Sequence, residues 1–201
     1  MSSITPPGDT NLYAPPAAEV GDIATPDTAE FYVVASRKFF MLFFVTAGLY
    51  QIYWFYRHWA QFKRHHNLDL WPIPRAIFAV FFTHSLTREI EARIHRSTAR
   101  FDWSPGAIAT TFVILQIASN ILDRMAWRNI GFPVTDWISI SILLPMAWLA
   151  HAMQRAANMA CGDPEGASNA QLTVANWIWM LLGSILWALA LLGLLLPQEI
   201  A

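Results

Sequence analysis

Three polar side chains recur on one face of an otherwise apolar stretch. Gln116, Asn120 and Asp123 are spaced at i, i+4 and i+7, so a helix would align them. A carboxylate within a membrane helix usually faces protein or water and can mark a path for protons or ions. The alternative is a structural seam between helices, with Asp123 near the headgroups and paired with an arginine. Because Asp123 lies close to the end of the stretch, the seam is favoured.

The histidines lack the pattern of a metal site. His58, His65 and His66 surround two basic residues, and the adjacent His65 and His66 would point apart on a helix. A metal site needs three or four ligands with convergent geometry. We therefore predict no metal and no cofactor. His84 and His151 are single histidines in apolar stretches, and we predict that they are hydrogen-bonded packing residues.

Basic residues cluster beside the apolar stretches. Such juxtamembrane groups attract anionic lipid headgroups, so membrane lipids are predicted partners, with a second copy or another membrane protein as further candidates. Nucleic acid is not an expected partner, because the net charge is −1 and no zinc-finger, basic-helix or RNA-binding motif is present. The predicted headgroup contacts are Arg57, Lys63, Arg64, Arg88, Arg93 and Arg96.

The chain carries none of the common catalytic motifs. A nucleophile elbow, HExxH, a Walker loop and a dinucleotide fingerprint are all missing from the sequence. The single cysteine, Cys161, has no activating partner nearby in sequence and is predicted to be an inert thiol. We expect a non-catalytic accessory or structural protein that binds a partner or lipid. The alternatives are a small transporter or channel subunit using Gln116, Asn120 and Asp123, and a lipid-modifying enzyme.

The elements that would position these residues are apolar helices. Apolar residues make up 55% of the chain and charged residues 13%, against about 25% charged in soluble domains. The stretches 39–56, 103–122, 137–154 and 166–198 contain no Asp, Glu, Lys or Arg, and a helix crossing ~30 Å of hydrocarbon needs ~20 apolar residues. We predict an all-α, multipass transmembrane helical bundle with about four crossings and one interfacial amphipathic helix. The predicted membrane domain is 31–201, with apolar segments at 39–56, 76–87, 103–122, 137–154 and 169–196.

Several segments carry signals of irregularity. Gly48 and the aromatic residues after it fit either a crossing that ends at the headgroups or a tight re-entrant turn. In the second segment Leu86, Ile90 and Ile94 recur at i, i+4 and i+8, which predicts an interfacial helix, with a short full crossing as the alternative. Pro145 should kink the fourth segment. The Tyr and Trp residues are predicted to form interface belts.

Charge distribution also bears on sidedness and on the N-terminal region. Eight of the 13 Lys and Arg residues lie between segments one and three. If segment two stays interfacial, all eight lie on the cytoplasmic side and the C-terminus lies outside, while the N-terminal side stays open. Residues 1–30 are rich in proline and acidic residues and have no basic one, which predicts a disordered tail and no cleaved signal peptide.

One stretch has a recognisable order of residues. RKFFML at 37–42 precedes GLYQIYWFYR at 48–57. A basic-apolar helix followed by G-[IL]-Y-x-x-Y-W-x-Y and a basic residue resembles the signature of a family of small bacterial inner-membrane proteins of unknown function. The resemblance covers 37–57 only. It implies a location in the bacterial inner membrane and brings no catalytic residue and no ligand.

Overall fold

The regular secondary structure of the described part of the chain is entirely helical. The structure is a computed structural model and describes residues 29–97 and 100–195, in which no strand occurs. The predicted all-α fold class is confirmed over these residues. The helices are α1 Ser36–Val45, α2 Tyr50–His66, α3 Pro72–Ile77, α4 Ala79–Arg96, α5 Pro105–Trp127, α6 Val134–Ser141, α7 Leu143–Ala160 and α8 Val174–Leu195, with a 3-10 turn at Ala167–Asn169.

Three helical stretches are long and apolar enough to cross a membrane, by length and composition. They are Pro105–Trp127, Val134–Ala160 and Val174–Leu194, and at most 22% of the most apolar window of each is buried. A helix that is apolar all round and exposed is typical of a membrane span. These stretches correspond to three of the predicted crossings. The fourth predicted crossing, 39–56, is not confirmed.

The predicted segment 39–56 is broken in the middle. α1 and α2 are separated by a turn in which Ala47 and Gly48 have positive φ angles of 51° and 84°. Gly48 suits this turn because a residue without Cβ adopts positive φ at little cost. α1 has 10 residues, which is about 15 Å and half of the ~30 Å hydrocarbon thickness. α1 is therefore too short to cross.

The chain returns after this turn to the level at which it started. Glu30, which precedes α1, lies 2.7 Å from His66 at the end of α2 (Oε1 to Nε2). At the beginning of α1, the Ser36 hydroxyl lies 2.8 Å from His151 of α7. Residues 36–66 therefore form a helical hairpin, called the aromatic hairpin below. This geometry matches the re-entrant turn rather than the crossing.

The second predicted segment is split at Phe78 into α3 and α4. α4 buries Leu86, Ile90 and Ile94, as the amphipathic pattern predicts. His84 of α4 contacts the Thr110 hydroxyl of α5 at 3.0 Å. α4 is not among the stretches apolar enough to span, because its second half carries charges on every face but the buried one.

The ends of the later segments differ from their predicted bounds. α5 continues past 122, so Asp123 lies inside the helix. The fourth segment is interrupted at Ile142, because Pro145 has no N–H to donate to the carbonyl four residues earlier. α8 begins at Val174 rather than near 169. Thr173 and Asn176 cap it reciprocally, with bonds of 3.0 Å (Thr173 N to Asn176 Oδ1) and 3.4 Å (Asn176 N to Thr173 Oγ1).

An extended segment, residues 29–35, runs through the helical core. Phe31 and Val34 are fully buried. Glu30, the last residue of the predicted tail, is also buried, whereas residues 1–28 lie outside the described residues and their disorder stays a prediction. An extended segment between helices has no neighbouring strand to bond with. Its buried backbone N–H and C=O groups must therefore be hydrogen-bonded by side chains.

Those side chains come from α7 and from the turn before α8. Asn158 accepts from Val34 N at 3.2 Å and donates to Val34 O at 3.0 Å. Gln154 Nε2 donates to Tyr32 O at 2.8 Å, and Asn169 Nδ2 donates to Val33 O at 2.8 Å. Three amide side chains thus replace a neighbouring strand.

Two tryptophans of the aromatic hairpin lie in the core rather than in an interface belt. Trp54 and Trp59 are 0% and 1% exposed, so the predicted belt is wrong for them. Trp54 is buried because Gln154 Oε1 accepts its indole N–H, and the guanidinium of Arg75 lies 4.3 Å from the Trp59 ring centroid. Trp127, at the end of α5, is 91% exposed, as an interface position requires.

We predict that Gln154→Ala destabilises the fold strongly. The change leaves Tyr32 O and the Trp54 N–H buried without partners, which should lower the free energy of unfolding by about 2–4 kcal/mol. Gln171→Ala is the matched control, since Gln171 is exposed and its side chain makes no hydrogen bond to the other described residues. Thermal melting of both variants in detergent measures the effect. Equal melting temperatures would contradict the role assigned to Gln154.

We also predict that positions 68 and 100 lie on one side of the membrane and position 130 on the other. The ends of α2 and α4 meet at Glu30, whereas Ile130 lies between α5 and α6. Single cysteines at Leu68, Arg100 and Ile130 in a Cys161→Ala chain can be labelled with an impermeant maleimide in intact cells and in opened membranes. Opposite labelling of 68 and 100 would show that the α3–α4 region crosses.

Candidate functional site

The predicted polar residues line one cavity at the turn of the aromatic hairpin. The cavity measures about 370 Å³ and is bounded by that turn, α5, α6, α7 and α8. Gln116, Asn120 and Asp123 all face it, together with Ser119. We call it the polar cavity. The structure thus brings the three predicted residues together, while their role as a seam or a path stays a prediction.

Residues that the sequence did not single out complete the polar cavity. Gln51, from the start of α2, donates its side-chain amide to Gln116 Oε1 and forms the inner end. Ser139 of α6 donates its hydroxyl to Asp123 Oδ1, and Ser119 donates to Asp123 Oδ2 at 3.4 Å. Gln51 lies far from Gln116 in sequence, and only the hairpin turn places them together. The arginine partner expected for Asp123 is not found among the described residues.

A second cavity lies on the other side of the hairpin turn and is mostly apolar. It measures about 540 Å³ and lies between the hairpin, α3 and the start of α8. We call it the apolar cleft. Its lining is Leu42, Thr46, Leu49, Tyr50, Ile52, Tyr53, Tyr56, Ile73, Ala76, Ile77, Thr173, Ala175, Asn176 and Trp179. Pockets of about 300–1,000 Å³ with few polar groups are typical of sites for small apolar ligands.

Polar groups of the apolar cleft are gathered toward the start of α8. Thr173 and Asn176 lie there, and Tyr53 and Tyr56 face them from α2. Arg57 donates to the Tyr53 hydroxyl at 3.0 Å, and its guanidinium lies 5.0 Å from the Tyr32 ring centroid. The cleft is therefore mostly apolar and has no charged lining residue, and Arg57 is bonded to one of its lining tyrosines.

The six predicted headgroup residues have different environments. Arg93 Nε and Arg96 Nη2 are bound to Glu30 at 3.0 and 3.5 Å, so an internal carboxylate already takes part of their charge. Arg57 stands at the rim of the apolar cleft. Lys63 is half-buried, and Arg64 and Arg88 are exposed. Two of the six predicted residues therefore pair with Glu30, an acid of the segment before α1.

Glu30, His65 and His66 place three ligand-type atoms within 4.8 Å of one another. The two histidines do not point apart as the sequence suggested, since both ring nitrogens approach the same carboxylate, at 4.0 and 2.7 Å. Arg93 and Arg96 bind that carboxylate as well. A metal ion would face two guanidinium groups, so the geometry is that of an ion-pair cluster around a buried acid.

The remaining candidate groups are two histidines and a cysteine. His84 and His151 are hydrogen-bonded to Thr110 and Ser36, as predicted. His151 is half-buried against Phe40, whereas His84 is exposed, so the predicted packing role fits His151 only. The Ser36–His151 pair has nucleophile-to-base spacing. However, no carboxylate among the described residues orients His151, and the pair lines neither cavity. Burial raises the pKa of Cys161 to about 11, so it remains a protonated thiol at neutral pH, which fits the predicted inertness.

We predict that Glu30→Gln destabilises the protein although it preserves shape. Losing the carboxylate charge weakens the bonds to Arg93 and His66, and we expect about 1.5–3 kcal/mol of lost stability, near the low end because Arg93 is 40% exposed. Glu165→Gln, at an exposed turn, is the matched control. Detergent melting curves compare the two, and equal curves would rule out Glu30 as an anchor.

Comparison with known proteins adds no relative to this geometry. No protein-family model, no curated protein and no solved structure matches the chain. The resemblance of residues 37–57 to small bacterial inner-membrane proteins therefore stays a prediction, and the two cavities and the ion-pair cluster are the features from which function is argued.

Proposed function

We propose that this protein is a non-catalytic integral membrane protein that binds a phospholipid in the apolar cleft. The observation that carries the proposal is the cleft itself: about 540 Å³ of mostly apolar space between the aromatic hairpin, α3 and α8. Its walls offer Leu, Ile and Ala side chains to an acyl chain. Burial of apolar surface then favours occupancy at about 25 cal/mol per Å².

The rim of the cleft suits a headgroup. Thr173, Asn176 and Tyr56 offer hydrogen-bonding groups at one end of the cleft. Arg57 does not line the cleft but bonds to the hydroxyl of Tyr53, which does, and a guanidinium binds phosphate in a bidentate manner. Arg57 was among the predicted headgroup contacts, and it is bonded to a residue of the cleft wall. An anionic phospholipid is therefore the favoured ligand.

The same proposal covers location and partners. A location in the bacterial inner membrane rests on the resemblance of residues 37–57 alone. The crossing pattern includes three spans and the half-depth aromatic hairpin, with the ends of α2 and α4 on the cytoplasmic side, where basic residues are enriched. No nucleic acid partner and no catalytic step is proposed. Lys63, Arg64 and Arg88 remain candidate contacts with lipid headgroups outside the cleft.

We predict that filling the cleft abolishes retention of the lipid. Ala175→Trp places a large ring among the lining residues at the start of α8. Ala188→Trp is the matched control, because Ala188 is exposed on the same helix and lines neither cavity. Non-denaturing mass spectrometry of the detergent-purified chain, supplemented with phosphatidylglycerol or phosphatidylethanolamine, measures bound lipid.

The expected result is one retained phosphatidylglycerol in the wild type and in Ala188→Trp, and loss of it in Ala175→Trp. Equal retention in all three proteins would place bound lipid on the outer surface and overturn the cleft as the binding site. Equal retention of the two phospholipids would leave the acyl-chain site and remove the headgroup role of Arg57.

A further inference from the structure

We propose that the polar cavity binds a small monovalent metal cation at Asp123. The ligands offered are the carboxylate of Asp123, the hydroxyl oxygens of Ser119 and Ser139, and the side-chain oxygen of Asn120. This site is separate from the apolar cleft and does not depend on lipid binding. The sequence predicted a seam or an ion path at Gln116, Asn120 and Asp123, and the proposal names the class of ligand that these residues would bind.

The first argument is charge. Asp123 lies inside a helix that is long and apolar enough to span a membrane. No Lys, Arg or His lines the polar cavity in the described part of the chain. The carboxylate is bonded to two neutral hydroxyls and has no ion pair among the described residues. Asp123 is exposed in the protein and faces the polar cavity. A carboxylate in a membrane-crossing helix usually faces protein or water and pairs with another group, so we assign a cation in the cavity as its partner.

The second argument is that several of the hydrogen-bond donors lining the cavity are bonded within the protein. The amide nitrogen of Asn120 donates to Gln116 O at 2.8 Å, which leaves its oxygen for the cavity. The Trp187 indole donates to Phe44 O at 2.7 Å, and Gln51 donates to the Gln116 side chain. Both serine hydroxyls donate to Asp123. The cavity therefore presents the oxygen atoms of Asp123, Ser119, Ser139 and Asn120. The amide groups of Gln51, Asn120 and Gln116 keep further N–H donors.

The third argument concerns which cation fits. An all-oxygen set matches a hard cation, and a single carboxylate balances a single positive charge. Ca²⁺ takes six to eight oxygens, often from several carboxylates, and Mg²⁺ sheds its waters reluctantly. Asp136, the one acidic residue of α6, does not line the cavity. Na⁺ and K⁺ are therefore the appropriate probes.

The aromatic hairpin forms one wall of this cavity. Gln51 and the Ala47–Gly48 turn belong to that wall, and the turn is held in place because Trp187 of α8 bonds to Phe44 O. A Cβ at Gly183 would overlap Val45 O and Thr46 Cα, so α8 lies directly against the turn. The wall of the cavity formed by the turn is therefore packed firmly against α8.

The test measures cation binding by the full-length purified protein. Melting temperature is followed as NaCl or KCl replaces choline chloride at constant ionic strength, and ²²Na⁺ binding gives affinity and stoichiometry. Asp123→Asn preserves shape and removes the charge. The matched control is Asp102→Asn, an exposed aspartate before α5. Asn120→Ala is a milder second variant in case Asp123→Asn does not fold.

We expect Na⁺ or K⁺ to raise the melting temperature of the wild type and of Asp102→Asn. Asp123→Asn should weaken binding by about tenfold or more, and Asn120→Ala by a smaller factor. Ala175→Trp should keep the cation response, which separates this site from the lipid cleft. A response that is equal in Asp123→Asn, absent in the wild type, or seen with divalent cations only would overturn the proposal.

Discussion

The fold depends on how the backbone of one buried, non-helical segment is satisfied. Residues 29–35 lie among helices, where water cannot solvate their N–H and C=O groups. Asn158 binds both the N–H and the C=O of Val34, as a neighbouring strand would. Gln154 binds Tyr32 O and at the same time holds the indole of Trp54. Because each unsatisfied buried group costs about 1–3 kcal/mol, α7 is fixed relative to this segment and to α2.

This constraint sets where the aromatic hairpin begins, and the turn of the hairpin then creates both cavities. Leu49 and Ile52, at the start of α2, line the apolar cleft and the polar cavity alike. The hairpin tip is thus a wall with an apolar space on one side and a polar space on the other. Its depth follows from the short length of α1 and from the contact of Gly183 with Val45. One break in the chain accounts for two sites of opposite chemistry.

The parts of the structure that follow from local pattern were predictable from the sequence. The uncharged runs at 103–122 and 137–154 predict spans, and Pro105 marks the start of α5. The amphipathic repeat of Leu86, Ile90 and Ile94 predicts α4. The break at Gly48 could not be decided, since a tight turn and a continuous helix are both compatible with the apolar residues before it and the aromatic residues after it.

The parts that depend on distant partners could not be predicted. Glu30 reads as the end of an acidic tail, and only the convergence of α2 and α4 gives it Arg93 and His66 as partners. Trp54 reads as an interface residue, because its burial requires an acceptor, Gln154, that lies 100 residues away. The role of Gln51 likewise could not be predicted, because only the hairpin turn brings its side chain to Gln116. Amide and carboxylate side chains carry these long-range bonds, and no periodicity identifies their partners.

The distribution of charge separates the two ends of the molecule. At one end Glu30 contacts Arg93, Arg96, His65 and His66. Basic residues of the kind that bind lipid headgroups thus form part of an internal ion-pair cluster. At the other end Asp123 has hydroxyl partners and no basic one among the described residues. An arginine beside Asp123 would have made the polar cavity a neutral seam between helices. Without such an arginine among the described residues, the carboxylate faces the polar cavity unpaired. A cation in the cavity would supply the missing positive charge.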